Sequence, residues 1–431
     1  MKKTILLLFL IGCVTIGRAT SIIIPMDDKQ SNHLKAYGLA YWVLKQDVSM
    51  WWLLNYKGGS FLIPYAQSIE AECRIRNVSY DLIADVQANA ILAEIAVPET
   101  NMDAVKLDKA PKMAVYSPKN KLPWDDAVTM VLTYAEIPYD LIYDEEVIKG
   151  MLPNYDWLHL HHEDFTGQYG RFFAAYRNAA WYQNDVQQNE QTAAKLGFKK
   201  VSELKLAVAT AIKNFTIGGG FLFAMCSGTD SYDIALAAAG IDICESMFDG
   251  DNADPNAQAK LNFQQTFAFK NFKLDNNPYN YEFSDIDNTN NRNLTEQNDY
   301  FSLFDFSAKW DPVPSMLTQN HEKVIKGFMG QTTAFKKSLV KPDVLVLGET
   351  SIAGEVRYIH GEIGKGTWTF YGGHDPEDYQ HLVSDPPTDL NLHPNSPGYR
   401  LILNNVLFPA AKKKKQKTYY LNSRNSKASQ A

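Results

Sequence analysis

One cysteine of this chain lies where a catalytic nucleophile could sit. Three glycines at 218–220 precede an apolar run at 221–225, and Cys226 follows that run directly. The run predicts a strand buried on both faces, and the serine, threonine and aspartate after Cys226 are competent helix caps. Because ligands bind beyond the carboxyl ends of strands in open α/β sheets, we expect Cys226 to face a crevice. The helix amino terminus would favour the thiolate and offer N–H groups to an oxyanion. The alternative is a small buried residue at a tight turn.

A histidine in a distant segment could supply the base that a nucleophilic cysteine needs. Residues 364–373 predict a glycine turn, a strand at 367–371 and a second pair of glycines, after which His374 stands at the strand's carboxyl end. In this hypothesis Cys226 attacks and His374 moves the proton, while a carboxylate orients the imidazole. The carboxylates that follow the histidine most closely are Asp375, Glu377 and Asp378.

Imidazoles and carboxylates also crowd together in the segment 157–164. His159 and His161 share one face of a predicted strand, because side chains alternate along strands. Such a group could bind zinc or another transition metal, line the crevice of Cys226, or be purely structural, and the sequence leaves the metal open. The residues that we assign to ligand binding are His161, His162, Glu163, Ser227, Gly228 and Asp230.

The elements that must position these residues alternate between strand and helix from residue 112 onwards. This order predicts an α/β domain with a mostly parallel sheet and helices on both faces. Strands are predicted at 113–116, 139–143, 155–161, 221–225, 344–347, 356–360 and 367–371, and helices at 125–135, 201–215, 230–239 and 399–407.

Four regions are expected along the rest of the chain. Residues 20–110 predict an amino-terminal α/β module with a helix at 32–45 and a hairpin at 50–65. The main domain is expected at 111–411, with an inserted region rich in Asn and Asp at about 250–320. The last segment, 412–431, is a basic polar tail; we expect it to be a solvated end, with weak contact to an anionic surface as the alternative.

The first residues predict export. Lys2 and Lys3, an apolar stretch and small residues near Ala19 are typical of a secretory signal peptide at 1–19. The alternative is a lipoprotein, because residues 10–13 resemble a lipobox that would anchor the chain to a membrane through Cys13. We therefore expect a periplasmic or secreted protein. The net charge of -7 gives no reason to expect a nucleic-acid partner.

The two glycine-backed segments resemble those of the class I glutamine-amidotransferase-like superfamily. The segment from Gly218 to Gly228 is similar to its nucleophile elbow, and the Gly-x-Gly, strand, Gly-Gly-His374 pattern to its histidine strand in trehalose-utilisation-like members. The resemblance covers about residues 112–407, without the insertion. It implies a flavodoxin-like fold with Cys226 as nucleophile and His374 as base.

A further resemblance concerns asparagine synthetases. Residues 227–231 look like a shortened form of their pyrophosphate loop, and the chain as a whole is similar to exported bacterial proteins often labelled asparagine synthetase B. Three functions therefore stay open: a cysteine-dependent hydrolase or acyl transferase acting on an amide-like bond, a non-catalytic ligand-binding or structural module of the same fold, and asparagine synthetase-like activity. The expected partner is a small molecule, peptide or glycan; the sequence indicates no cofactor.

Overall fold

The structure is a computed structural model that describes residues 20–119, 123–318, 322–352 and 354–411. The predicted signal peptide at 1–19, with Cys13, and the basic tail at 412–431 lie outside the described residues.

Fifteen strands and twelve α-helices form within the described ranges. The strands are β1 (Ser21–Ile24), β2 (Met50–Leu54), β3 (Ser60–Pro64), β4 (Asp81–Ile83), β5 (Asp103–Leu107), β6 (Met113–Tyr116), β7 (Asp140–Ile142), β8 (Trp157–Leu160), β9 (Phe221–Met225), β10 (Tyr300–Leu303), β11 (Val324–Lys326), β12 (Phe335–Lys336), β13 (Leu345–Thr350), β14 (Glu355–Ile363) and β15 (Gly366–Tyr371). The helices are α1 (His33–Lys45), α2 (Gln67–Ile75), α3 (Asp85–Ala96), α4 (Ala127–Tyr134), α5 (Asp144–Ile148), α6 (Phe173–Tyr176), α7 (Ala180–Lys195), α8 (Val201–Gly218), α9 (Ser227–Ala237), α10 (Ser246–Asp249), α11 (Ala257–Lys260) and α12 (Pro397–Leu407).

The amino-terminal segment forms its own five-stranded sheet in the order β4-β1-β3-β2-β5, and every pairing in it is antiparallel. The predicted hairpin at 50–65 is confirmed as β2 and β3, whose turn contains Gly58 and Gly59 with φ of 77° and 87°. The predicted helix at 32–45 is confirmed as α1, which Asn32 caps by accepting from the N–H of Lys35.

The main sheet is mixed, whereas the sequence predicted a mostly parallel one. Its order is β11-β10-β13-β14-β15-β9-β8-β6-β7, with β12 on β14. The run from β7 to β15 is parallel, and the run from β15 to β11 is antiparallel. The physical reason is connection length. Only Gly364 and Lys365 separate β14 from β15, and parallel neighbours need a crossover of about a dozen residues.

The parallel half carries the core around the site. Along β9, Phe223 and Met225 belong to one apolar cluster, and Leu222 and Ala224 belong to another on the opposite face. The expectation of a strand buried on both faces is therefore confirmed. Because β9 is packed on both faces, the position of Cys226 at its carboxyl end is fixed.

The carboxy-terminal helix joins the two sheets. Arg400 of α12 is buried and donates to the backbone carbonyls of Met26 and Gly58 and to the hydroxyl of Tyr37. One continuous apolar cluster contains residues of both sheets. The region 250–320 also contributes to the main sheet, through β10. Among the described residues, no helix has the length and apolar character that a membrane crossing requires.

Candidate functional site

Cys226 sits on a strained turn between β9 and α9. Its φ of 49° and ψ of -140° lie in a region of backbone conformation that residues other than glycine rarely adopt. Helix α9 begins at the next residue. The predicted start of this helix at 230 was three residues too late. Gly228 permits the turn, since a Cβ there would lie 2.8 Å from the carbonyl oxygen of His161. A strained strand–turn–helix of this kind presents a nucleophile at the edge of a sheet.

His374 follows β15, the parallel neighbour of β9, so both residues emerge at the same sheet edge. Gly372 and Gly373 allow the chain to pack tightly there: a Cβ on Gly372 would lie 2.4 Å from the carbonyl oxygen of Thr333, and Gly373 has a φ of 104°. The N–H of His374 donates to the carbonyl of Met329 at 2.9 Å. The segment that contains Met329 and Thr333 therefore lies directly over the histidine turn.

Four side chains converge at this edge. The Cys226 sulfur and one ring nitrogen from each of His161, His162 and His374 all lie within 4.8 Å of one another. The rings of His161 and His162 stack with centroids 3.9 Å apart, and His374 lies 4.8 Å and 4.6 Å from them. Cys226, His161 and His374 are buried, at 4%, 1% and 6% exposure, whereas His162 is partly exposed.

The carboxylates of Asp125 and Asp126 complete the cluster. Neither residue is among the site residues predicted from the sequence. Asp126 caps α4 and places Oδ2 3.3 Å from both His159 Nε2 and His161 Nδ1. Asp125 Oδ1 lies 2.8 Å from His381 Nε2 and 3.9 Å from His374 Nε2. The latter distance exceeds a hydrogen bond, so Asp125 acts on His374 as a nearby charge.

The carboxylates predicted to orient His374 form other contacts. Asp375 accepts from the hydroxyls of Tyr399 and Thr388, each at 2.8 Å, and from the N–H of Glu377. Glu377 pairs with His393 Nδ1 at 3.0 Å. The structure therefore brings Asp125, and neither of these two, towards the imidazole.

Charge in the cluster is unevenly distributed. Burial lowers the pKa of His161 to about 4, more than the Asp126 carboxylate restores, and burial lowers the pKa of His162 well below its usual value. Burial also opposes the charged form of His374, but the neighbouring Asp125 and Cys226 outweigh it and raise its pKa to about 10. Burial would raise the pKa of Asp126, yet the two imidazoles beside it hold that pKa well below the usual range. His374 is accordingly the cationic ring at neutral pH.

Backbone N–H groups near the sulfur could hold an oxyanion. The N–H of Gln331 points at the Cys226 sulfur over 3.4 Å. The N–H of Gly228 already donates to the His161 carbonyl at 2.6 Å and is not free for a substrate. Within the described part of the chain, neither the N–H nor the buried hydroxyl of Ser227 has a hydrogen-bond partner. Ser227 is therefore the candidate donor to a substrate oxygen, and the Gln331 N–H can join it when it turns from the sulfur to that oxygen.

The remaining predicted ligand-binding residues lie close by but face inward. Asp230 belongs to α9, and its carboxylate accepts from the hydroxyl of Thr332 at 2.8 Å. Glu163 is 7% exposed and accepts from the N–H of His161. Burial raises the pKa of Glu163 to about 8 and that of Asp230 to about 7. Asp230 is therefore held inside the protein by Thr332, whereas Glu163 binds the backbone of His161 and also lines a small cavity.

One cavity lies beside the cluster, and a second lies at the opposite, amino-terminal ends of the parallel strands. A small cavity of about 50 Å³ touches His162 and Glu163 and is bordered by Trp124 and Phe172. Trp124 and Phe172 begin an aromatic wall that continues through Trp181, Tyr176 and Tyr281. A much larger cavity, about 630 Å³, opens at the amino-terminal ends of the parallel strands, away from Cys226. The chemistry-bearing cluster and this larger cavity therefore lie at opposite ends of the parallel strands.

Comparisons with known proteins give no family. No protein-family model matches the chain, and no curated protein matches it. Two solved structures of cytoplasmic proteins from Salmonella typhimurium are similar in part. STM3548 is 10% identical with a TM-score of 0.34, over 70% of this chain and 100% of its own. STM1381 is 12% identical with a TM-score of 0.34, over 72% and 91%.

A third solved structure, Gan42B, a GH42 beta-galactosidase, is 11% identical with a TM-score of 0.25, over 62% of this chain and 28% of that chain. TM-scores in this range do not establish a shared fold, and no function is transferred from these proteins.

Proposed function

We propose that this chain is an exported cysteine-dependent hydrolase or acyl transferase that acts on an amide-like bond. The observation that carries the proposal is the shared enclosure of the Cys226 sulfur and the His374 imidazole at the carboxyl ends of neighbouring parallel strands. The strained turn at Cys226 adds support, because such strain persists where function requires a side chain to be presented. In this proposal the chain is a class I glutamine-amidotransferase-like protein with a flavodoxin-like parallel core.

The reaction would proceed through a covalent thioester. The Cys226 thiolate attacks the substrate carbonyl carbon, a sulfur–carbon bond forms, and the N–H groups of Ser227 and Gln331 receive the developing oxyanion. The carbon–nitrogen bond then breaks as His374 protonates the leaving nitrogen. Water, or an acceptor amine in the acyl-transfer variant, attacks the thioester while His374 takes its proton, and the thiolate leaves.

Asp125 would orient and stabilise His374 during these proton transfers. The carboxylate lies 3.9 Å from His374 Nε2 and 2.8 Å from His381 Nε2, and it carries negative charge, since those two imidazoles hold its pKa below the usual range despite burial. The substrate would be a small molecule, peptide or glycan that approaches beside the aromatic wall. Export to the periplasm or medium follows from the predicted signal peptide, with anchoring through Cys13 as the alternative.

A non-catalytic binding module is the second candidate. It is favoured by the exposure of Cys226 and His374, 4% and 6%, which leaves little room for a substrate carbonyl without movement of the covering segment. Synthetase-like activity has less support. Residues 227–231 are buried in α9 instead of forming a loop, and the Gly228 N–H that a phosphate would need already binds His161.

The proposal is tested by hydrolysis assays on a panel of amides, beginning with ammonia release from glutamine. Cys226→Ser and His374→Gln should each lower the rate by roughly a thousandfold or more, because members of such a pair act as a unit. Cys73→Ser is the matched control, since Cys73 is buried away from the cluster. Hydrolysis that survives Cys226→Ser unchanged would overturn the proposal.

A further inference from the structure

We propose that Cys226, His161, His162 and His374 also form a binding site for one zinc ion, and that zinc in this site blocks the thiol chemistry. The inhibition by zinc rests on the proposed function, whereas the binding of zinc does not. The sulfur and three ring nitrogens lie within 4.8 Å of one another, and three of the four residues are buried. One thiolate and three imidazoles are ligands that zinc prefers, in the number that a closed tetrahedral site needs.

The ligand spacing requires only small side-chain movements. With zinc–ligand bonds of about 2.0–2.3 Å, the ligand atoms of a tetrahedral site are about 3.3–3.6 Å apart. The observed upper limit of 4.8 Å exceeds this by little more than 1 Å. Rotation of imidazole rings about their side-chain bonds can supply such a contraction without movement of the strands.

Unpartnered nitrogen atoms point to a missing ligand. Among the described residues, the buried Nε2 atoms of His161 and His374 have no hydrogen-bond partner, and the nearest carboxylate oxygen to that of His374, Asp125 Oδ1, is 3.9 Å away. His161 is 1% exposed and His374 is 6% exposed, so bulk water does not solvate these atoms. Buried polar atoms are normally hydrogen-bonded, and a bound ion is one of the standard reasons for an exception.

The groups behind the imidazoles are those that orient histidine ligands at metal sites. Asp126 Oδ2 lies 3.3 Å from His161 Nδ1, which leaves Nε2 of the same ring for a metal. His162 Nε2 contacts the backbone carbonyl of Asp125 at 2.8 Å, which leaves its Nδ1. Carboxylates and carbonyls on the outer nitrogen fix the ring and raise its basicity. Asp125 and Asp126 also offset the net positive charge of a zinc–thiolate centre.

Zinc binding and catalysis would compete for the same sulfur. A sulfur bonded to zinc cannot attack a carbonyl, and a His374 nitrogen bonded to zinc cannot carry a proton. We therefore expect zinc to inhibit the enzyme and a chelator to restore it. The enzyme would respond to available zinc without a separate regulatory site.

The test titrates the chelator-treated, full-length mature protein with cobalt(II), which substitutes for zinc and reports thiolate ligation through an intense near-ultraviolet charge-transfer band. The wild type should bind one equivalent and show the band, and zinc should displace the cobalt. Cys226→Ser should abolish the band, and Asp126→Asn should weaken binding roughly 10- to 100-fold. Cys73→Ser is the matched control and should keep both properties.

Binding without the band, a band that survives Cys226→Ser, or no stoichiometric binding would each overturn the inference. Circular dichroism of every variant separates loss of ligand from loss of fold. The two proposals fail separately, because the titration contains no substrate. A charge-transfer band without any hydrolase activity would support the zinc site and contradict the proposed enzyme. Hydrolase activity without the band would support the enzyme and overturn the zinc site.

Discussion

The strained cysteine at the end of β9 is the residue on which the proposed chemistry depends. Sequence spacing was sufficient to single out Cys226 and His374, because each follows an apolar strand and is flanked by glycines. The orienting acid could not be found in the same way. Asp125 comes from the turn after β6, two strands away from β9 in the sheet, and only the folded order of strands brings it to His374. The sequence does contain a signal for this acid, because Asp125 and Asp126 follow the predicted strand at 113–116 of the same sheet.

Asp125 should prove to be the positioning residue for His374. Asp125→Asn removes the negative charge beside the imidazole, and we expect the rate of Cys226 alkylation near neutral pH to fall about tenfold, the effect of 1.4 kcal/mol. Asp125→Glu should restore part of the rate. Glu377→Gln is the control, because that carboxylate pairs with His393 and should leave alkylation unchanged. Equal losses in Asp125→Asn and Glu377→Gln would remove Asp125 from the mechanism.

Asp230 should make stability depend on pH. Burial raises its pKa to about 7, and the negative charge of Asp164 adds to the effect. Since the folded pKa exceeds the unfolded value of about 3.9, the folded state holds the extra proton between those limits. Stability should therefore fall as pH rises from about 4 to about 7, by at most roughly 4 kcal/mol.

Asp230→Asn cannot ionise and should flatten this dependence. Melting temperatures of the wild type and the variant, measured from pH 4 to pH 8, check the prediction. Two parallel curves would show that Asp230 keeps an ordinary pKa in the folded protein.

At the scale of the elements, sequence patterns located strands and helices better than they located strand directions. The predicted strands at 113–116 and 367–371 are confirmed, because apolar runs between turn residues are a local signal. Strand direction depends on how the chain returns to the sheet. The two-residue connection at 364–365 was the signal for an antiparallel pair, and the prediction of a mostly parallel sheet overlooked it.

The turn between β9 and α9 should tolerate no side chain at Gly228. A Cβ there would lie 2.8 Å from the carbonyl oxygen and 3.1 Å from the nitrogen of His161, so Gly228→Ala must push α9 away from the end of β8. We expect a loss of roughly 1–3 kcal/mol of stability and slower alkylation of Cys226. Denaturant unfolding and peptide mapping provide the two measurements.

Gly218→Ala is the matched control for this prediction. Gly218 ends α8, and a Cβ there would meet no atom within 4 Å. Its stability should be unchanged or slightly higher, since alanine favours helix more than glycine does. A Gly228→Ala variant as stable and as reactive as Gly218→Ala would show that the close approach to His161 is not needed.

At the scale of the whole molecule, the amino-terminal sheet and the main sheet should unfold together. The buried Arg400 guanidinium of α12 binds backbone carbonyls at Met26 and Gly58, and one apolar cluster spans both sheets. Arg400→Leu would leave those carbonyls buried without a donor, at a cost of roughly 2–5 kcal/mol. No local sequence pattern predicts this contact, because it joins residues near opposite ends of the chain.

Thermal unfolding followed by tryptophan fluorescence and by circular dichroism checks this expectation. Trp52 lies in the amino-terminal sheet and Trp157 in the main sheet. The fluorescence lost in Trp52→Phe relative to the wild type therefore reports the first sheet, and the fluorescence lost in Trp157→Phe reports the second. We expect a single coincident transition that Arg400→Leu shifts as a whole to lower temperature. Two separate transitions would show that the sheets are independent units.

The most direct test of the central claim, that Cys226 and His374 form a nucleophile and its partner, is the rate at which each cysteine reacts with iodoacetamide at pH 7 in the presence of a chelator. Burial raises the pKa of Cys73 to about 12 and that of Cys244 well above its usual value, so both should be nearly inert. We expect Cys226 to react at least roughly 100-fold faster than Cys73 or Cys244, and we expect His374→Gln to remove most of this difference in rate. A Cys226 as slow as Cys73 and Cys244, or one whose rate is the same in His374→Gln, would contradict this claim.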